Sequence, residues 1–375
     1  MSLRRRPSCF DLVLYYAVTS KDIVSPSLGT ASTTGCSGHF SARVDHRKLI
    51  MVLYYICSFI LWTIETLYVL FKGGRVSSQR IKVANRLANF RYVKGSKREA
   101  QSANEQRSAL HHRIHSTLSY DSTETTHYPI ILVHGIGKSS FDFHPTLRDF
   151  LKRSENQAHQ PLVIAPDFPG FGKSRGRLST GHSINEMSEW LSQFMKALNI
   201  PKAHIVGASA GCQVVLSFIN HYPEMAASMV LISPTMGQNH TFLEYFLNTI
   251  KNAMSESHLF NFCHLCMWAQ MGWVNFSLSA LKFLTDNPLI NTNLNVNVPT
   301  LIVRGQHDRL VSISDINLLV ERLKKPRTTA GVLVRAEIPS GNHNIQFEKS
   351  SQLVELLVPF FLRREKESAL QNGSH

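Results

Sequence analysis

From about residue 111 onward the chain repeats short, almost unbroken apolar runs: "PIILV" (129–133), "PLVIA" (161–165), "HIVG" (204–207), "SMVLIS" (228–233), "PTLIVRG" (299–305) and "VLVRAEI" (332–338). Between most of them lie stretches with helical spacing. Examples are "SINEMSEWLSQFMKAL" (183–198) and "AGCQVVLSFINHY" (210–222), in which Val214, Val215, Phe218 and Ile219 share one side. A strand that is apolar at nearly every position has both faces covered, and strands alternating with helices build parallel sheets. "HRIHSTLSY" (112–120) alternates polar and apolar residues like an exposed strand at the start of the set. The pattern predicts an α/β fold over 111–363, a mostly parallel sheet flanked by helices, with a C-terminal tail over 364–375. In such sheets chemistry collects beyond the carboxyl ends of the strands.

Two segments break the alternation. Residues 235–297 carry no strand pattern but many large apolar side chains, among them Phe242, Phe246, Trp268 and Trp273. An apolar insertion of this length between two strands predicts a helical lid over the strand ends; a helical pack that completes the core is the alternative. The second is "LIMVLYYICSFILWTIETLYVLF" (49–71), whose one charge is Glu65 and which Lys48 and Lys72 bracket. It is long enough to span a bilayer and predicts a transmembrane or signal-anchor helix. Ahead of it, residues 1–48 read as a poorly ordered or targeting segment, and a start at Met51 would leave a compact signal-anchor. Behind it, 72–110 reads as a basic linker. Its "RVSSQRIKVANRLANFRYVKGSKR" (75–98) is either a solvated charged stretch or a helix lying on an anionic membrane surface.

Charge sharpens this division. The 375 residues carry a formal +14, but residues 1–115 hold 18 Lys/Arg against 6 Asp/Glu, while the remainder holds 22 against 20. A nucleic-acid-binding domain carries its positive charge on the folded part. Here the folded part is nearly neutral, so no nucleic-acid partner is expected. Arg43, Arg47 and Lys48 precede the apolar run, and Lys72, Arg75, Arg80, Lys82, Arg86 and Arg91 follow it. That bias predicts a single-pass protein with its C-terminal domain in the cytosol. The sequons at Asn239, Asn275 and Asn372 argue the opposite orientation. Of the six cysteines only Cys263 and Cys266 have metal-like spacing, and no second pair completes a site. Neither a metal nor an organic cofactor is expected, and the sequence leaves the oligomeric state open.

The candidate chemistry lies in the turns after the strands. Gly207-Ala208-Ser209-Ala210-Gly211 matches G-x-S-x-G at a strand-to-helix junction, where glycine on either side relieves the crowding of a sharp turn. A serine hydroxyl needs a base, a group that orients the base, and donors for a developing oxyanion. His134-Gly135-Ile136-Gly137 follows the first buried run, and backbone N–H groups of Ile136 and Ala210 can meet there as an oxyanion hole. His134 rivals for the base, although its place beside the turn glycine suits a structural hydrogen bond better. Asp308 follows "PTLIVRG", and His343 follows a Gly-Asn turn after "VLVRAEI". The order Ser, Asp, His, each beyond its own strand, separates this arrangement from other serine hydrolases.

With "ILVHGIG", "DFPGFGKS", "GASAG", "TLIVRGQHD" and "GNHNIQFE", the sequence resembles the α/β-hydrolase fold family over about 115–363. The resemblance implies Ser209 as nucleophile, His343 as base, Asp308 as orienter, and Ile136 and Ala210 as oxyanion donors. The layout of anchor, linker and lidded domain resembles membrane-anchored monoacylglycerol lipase-like enzymes. It implies a membrane-bound serine esterase acting on a lipid or other apolar ester. A thioesterase, a C–C bond hydrolase, or a non-catalytic receptor or scaffold on the same fold are the alternatives. Cys212 departs from the family, which usually has a second glycine there. Glu348, five residues after His343, stands where related acyltransferases carry Asp, and weakens that reading.

Overall fold

The apolar runs become strands whose two faces are both covered by helices. The computed structural model describes residues 76–94, 120, 127–135, 137–154, 161–174, 183–235, 296–323 and 333–372. In chain order the strands are β1 (Ser77–Val83), β2 (Arg86–Val93), β3 (Ile130–Val133), β4 (Val163–Pro166), β5 (Ala203–Ala208), β6 (Ala226–Ile232), β7 (Thr300–Gly305) and β8 (Leu333–Ile338). Among the described residues they form one eight-stranded sheet, ordered β1-β2-β4-β3-β5-β6-β7-β8. From β4 to β8 every pairing is parallel, and β2 runs antiparallel to both of its neighbours. The central strands β3, β4 and β5 are buried at every position, whereas β8 exposes Val334, Arg335 and Glu337 as an edge strand does.

Helices α1 (His144–Ser154), α2 (Ile184–Ala197), α3 (Gly211–His221), α4 (Ile313–Leu323), the short α5 (Ile345–Glu348) and α6 (Ser350–Asn372) cover the sheet. One core joins Trp190, Leu191 and Phe194 of α2, Val215 and Phe218 of α3 and Leu319 of α4 to one face. The other joins Leu147 and Phe150 of α1 and Leu353 and Leu357 of α6 to the opposite face. The α2 helix starts where Ser183 accepts a hydrogen bond from the Glu186 N–H, which satisfies one of the donors a helix start leaves unpaired. The predicted α/β fold with covered faces is what the described residues adopt.

Two boundaries need correction. The stretch assigned to the basic linker 72–110 contains β1 and β2, so the sheet begins well before residue 111. Its apolar positions follow a period of two. Ile81, Val83, Ala88 and Phe90 all enter the core, with the Phe90 ring 5.6 Å from that of Phe194. Ala84 and Asn85, at φ 43° and 65°, supply the left-handed backbone that a tight hairpin turn requires. The tail 364–375 is likewise not a tail along its first nine residues, because α6 continues to Asn372. Among the described residues no helix is long and apolar enough to cross a membrane. Residues 1–48, the run 49–71, the strand predicted over 112–119 and residues 236–295 of the predicted lid lie outside the described residues.

Glu365 shows why α6 is tied down. One carboxylate oxygen accepts from His127 Nδ1 at 2.5 Å, and the other accepts from the Tyr128 N–H at 2.9 Å and from His204 Nε2 at 3.4 Å. His204 Nδ1 accepts in turn from the Ser228 hydroxyl at 2.8 Å. Burial would raise the Glu365 carboxyl, but the hydrogen bonds and charge of the two histidines outweigh it and hold it at about 2. A carboxyl depressed in the folded state contributes stability above its unfolded value, near 4.3, which is lost as pH falls through the folded one. Glu365→Gln should therefore lower stability at neutral pH by about 1.5–3 kcal/mol. It should also flatten the acid limb between about pH 4 and 2. Urea unfolding across that pH range measures both; equal acid limbs in the two proteins would refute the role of Glu365.

Candidate active site

The turn from β5 into α3 is tight enough to dictate its sequence. A Cβ on Gly211 would lie 2.5 Å from the Val133 carbonyl oxygen and 2.7 Å from that of His134, and one on Gly207 would lie 2.8 Å from the Gly211 oxygen. Real Cβ atoms do not approach so closely, so both positions must be glycine. Between them Ser209 sits at φ +55°, a left-handed conformation that non-glycine residues adopt rarely and mostly at functional sites. Its N–H is pinned to the Ile232 carbonyl at 2.8 Å, and its own carbonyl accepts from the Cys212 N–H at 3.0 Å. Cys212 is fully buried and its thiol donates to the Gly207 carbonyl at 3.2 Å. Burial raises that thiol far above its ordinary range, so it packs rather than reacts.

Around this serine the structure gathers the predicted side chains. His343 Nε2 accepts from the Ser209 hydroxyl at 2.9 Å. His343 Nδ1 donates to the Asp308 carboxylate, 3.0 and 3.1 Å from its two oxygens. Asp308 is buried but not starved of donors, for its Oδ1 also accepts from the N–H groups of Leu310 (2.9 Å) and Val311 (3.0 Å). Burial would raise its carboxyl. The charge and hydrogen bond of His343, with the Ser233 hydroxyl and the Val311 N–H, outweigh burial and leave it lowered. An ionised Asp308 fixes the imidazole with the proton on Nδ1 and Nε2 free to accept.

Of the two residues expected to supply oxyanion donors, one is described. Ala210 opens α3 at φ −60° and ψ −26°, directly after the serine. The loop after β3 lies against the elbow, because a Cβ on Gly135 would stand 3.3 Å from Ser209 Cβ and 3.6 Å from Ala210 N. Ile136, the other expected donor, lies outside the described residues. His134 is not placed as a base. It is buried, its Nδ1 donates to the Gly135 carbonyl at 2.8 Å, and its Nε2 accepts from the Phe168 N–H at 3.3 Å. Burial, ahead of the charges of Asp167 and Asp142, leaves its pKa lowered, so it is a neutral brace between two loops.

Three supporting residues escaped the sequence reading. Arg304, next to last in β7, donates through Nε to the Val311 carbonyl at 2.8 Å and through Nη2 to the Asp308 carbonyl at 3.1 Å, clamping the loop that carries Asp308. Lys138 bridges the loop after β3 to the histidine loop: its ammonium pairs with Asp142 at 2.9 Å and donates to the Asn344 side chain. Asp167 anchors the loop after β4. It accepts from the Ser140 N–H (2.7 Å), the Asn89 side chain (2.9 Å) and the Lys173 N–H (2.9 Å). Asp167 heads "DFPGFGKS" and Arg304 lies within "TLIVRGQHD", but neither motif states what its side chain holds. Glu348 accepts from the Asn342 N–H at 2.5 Å, closing the turn that presents His343. Among the described residues no cluster of metal-binding side chains is present.

A family model of the alpha/beta hydrolase fold matches residues 128–262. A curated relative, 2-hydroxy-6-oxononadienedioate/2-hydroxy-6-oxononatrienedioate hydrolase from Burkholderia vietnamiensis, is 26% identical over 235 residues, 55% of this chain and 78% of that protein. Among solved structures, a bacterial membrane phospholipase A superposes with a TM-score of 0.56 at 18% identity, covering 85% of this chain and 96% of the other. The carboxylesterase CesB from Bacillus subtilis superposes with a TM-score of 0.55 at 14% identity, covering 81% of this chain and 98% of the other. At these identities the structural likeness shows the fold alone. Together with the strand order and the glycine-walled turn at Ser209, the model matched over 128–262 means that this chain has the alpha/beta hydrolase fold.

Proposed function

We propose that the chain is a serine hydrolase of apolar carboxylic esters, acylglycerol lipase- or esterase-like, held at a membrane by residues 49–71 with its catalytic domain on the cytosolic side. The observation that carries the chemical reading is the 2.9 Å hydrogen bond from Ser209 to His343, with Asp308 behind the imidazole. Ser209 Oγ adds to the ester carbonyl carbon while His343 Nε2 takes its proton. The oxyanion of the tetrahedral intermediate is met by the N–H groups of Ala210 and Ile136. Collapse breaks the carbon–oxygen bond to the alcohol, which leaves with the proton from His343. Water deprotonated by the same nitrogen then adds to the acyl-enzyme, and a second collapse frees the acid and restores Ser209.

The lipid preference is supported by the apolar insertion 235–297 beyond β6, whose residues suit a lining for acyl chains. A C–C bond hydrolase is the second reading, favoured by the oxononadienedioate hydrolase among the relatives. The two separate on a substrate panel, since an esterase turns over simple acyl esters that carry no activated C–C bond.

Ser209→Ala should remove turnover and fluorophosphonate labelling while leaving the melting temperature within a few degrees of the parent. Loss of the nucleophile in such triads lowers kcat by about 10⁶-fold. Activity retained in the folded variant would sink the assignment. Asp308→Asn should lower kcat by about 10³–10⁴-fold, because the imidazole loses the partner that sets its tautomer.

A second outcome follows for chain length. Across esters of increasing acyl length, kcat/KM should climb by up to about fourfold per methylene, equivalent to about 0.8 kcal/mol, until the site is full. A profile flat from acetate to long-chain esters would rule out an acyl-lining role for the insertion.

A further inference from the structure

Resting on the membrane anchoring proposed above, we infer that the outer face of the β1–β2 hairpin docks on anionic bilayer lipid and lays the hydrolase domain edge-on against the membrane. The hairpin has two unlike faces. Ile81 and Val83, with Ala88 and Phe90 across the ladder, turn into the core. The register pairs Lys82 with Leu87 and Arg80 with Asn89, so these four share the other face, where Asn89 is buried against Asp167 and Arg80, Lys82 and Leu87 point outward. Arg80 and Lys82 are exposed there, and Leu87 is 42% exposed beside Lys82. Over 72–94 the sequence holds seven Lys/Arg and no Asp or Glu. Of these, Arg91 is spent inside the fold, over the Phe141 ring at 5.3 Å. Cations along an edge strand do guard against strand pairing. That role has no use for an exposed leucine set among them, whereas a lipid headgroup region accommodates both.

The length of chain outside the strand decides the posture. Five residues, 72–76, separate the apolar run from Ser77. Fully extended, they let Ser77 stand at most about 20 Å from the end of that run. Pairing of Phe90 with Pro166 and of Val83 with Arg86 places the hairpin turn at the carboxyl end of β4, the end that carries Ser209, and Ser77 at the opposite end. Were the Ser209 end to face the bilayer squarely, Ser77 would be lifted by the length of β1, about 20 Å, and 72–76 would have to run fully stretched to allow it. Edge-on, the whole of β1 lies within reach, and its cations come within the roughly 10 Å over which an anionic surface acts. The cytoplasmic leaflet is the anionic one, which matches the orientation predicted by the charges flanking the run.

The test uses the full chain reconstituted into vesicles of phosphatidylcholine alone or mixed with phosphatidylserine, with p-benzoylphenylalanine replacing Leu87 in one protein and Ile313 in another. Ile313 is the control because it is 55% exposed and lies on α4. On illumination of the mixed vesicles, the Leu87 probe should form several-fold more lipid adduct than the Ile313 probe. The excess should fall in phosphatidylcholine alone, and by roughly fivefold for each cation lost in Arg80→Gln and Lys82→Gln. Equal adducts at the two positions, or an adduct to a second copy of the chain in place of lipid, overturn the docking face while leaving the anchor intact. A chain that does not float with either vesicle overturns the anchoring and the docking face together.

Discussion

Backbone passing backbone at contact distance, where β5 turns into α3, is the constraint on which the site depends. Gly211 runs against the carbonyls of Val133 and His134, and that approach sets how near the β3 loop can come to Ser209. The same crowding holds Ser209 at φ +55°, where its hydroxyl leaves the sheet toward His343 instead of folding back on the helix. A left-handed serine costs of order 1–3 kcal/mol, and it persists only where the surroundings over-determine it. Here they do: its N–H belongs to β6, its carbonyl to α3, and Gly207 and Gly211, two residues to either side, admit no side chain. The far side of the site has an equivalent contact. A Cβ on Gly305 would collide with the Gly341 and Asn342 carbonyls, so the aspartate and histidine loops can meet only with a glycine between them.

What the sequence made legible follows from how local each signal is. Strands β3 to β7 are contiguous apolar runs, and the turn at Ser209 states its sterics in five residues, so both are readable without the fold. Asp308 and His343 were readable because each follows such a strand in an order that a parallel sheet brings to one end. The β1–β2 hairpin was not. Each of its strands carries few apolar residues among cations, and the period of two that separates a strand from a linker is visible only once Phe194 is known to lie opposite Phe90. Glu365 and Arg304 were illegible for a different reason. A charged residue near a chain end, or inside a strand, gains meaning from partners at His127, His204 and the carbonyls of Asp308 and Val311, and none of these is implied by its own neighbours.

The opposite end of the sheet holds an instructive counterpart. Ser228, His204 and Glu365 are joined in the order hydroxyl, imidazole, carboxylate, the same three groups as at Ser209. Residue types and hydrogen bonds alone would nominate both. The two differ in backbone and exposure. Ser228 is fully buried inside β6, paired with His204 of β5, so no carbonyl carbon can reach its oxygen. Its imidazole is turned the other way, with Nδ1 toward the serine and Nε2 toward the carboxylate, and burial lowers its pKa. Ser209 stands instead at a left-handed turn, partly exposed, beside the first amides of a helix. A hydroxyl–imidazole–carboxylate chain is therefore a structural tie when it lies within the sheet. It gains the geometry of a nucleophilic site only beyond the carboxyl ends of the strands, where the chain must turn and backbone donors face outward.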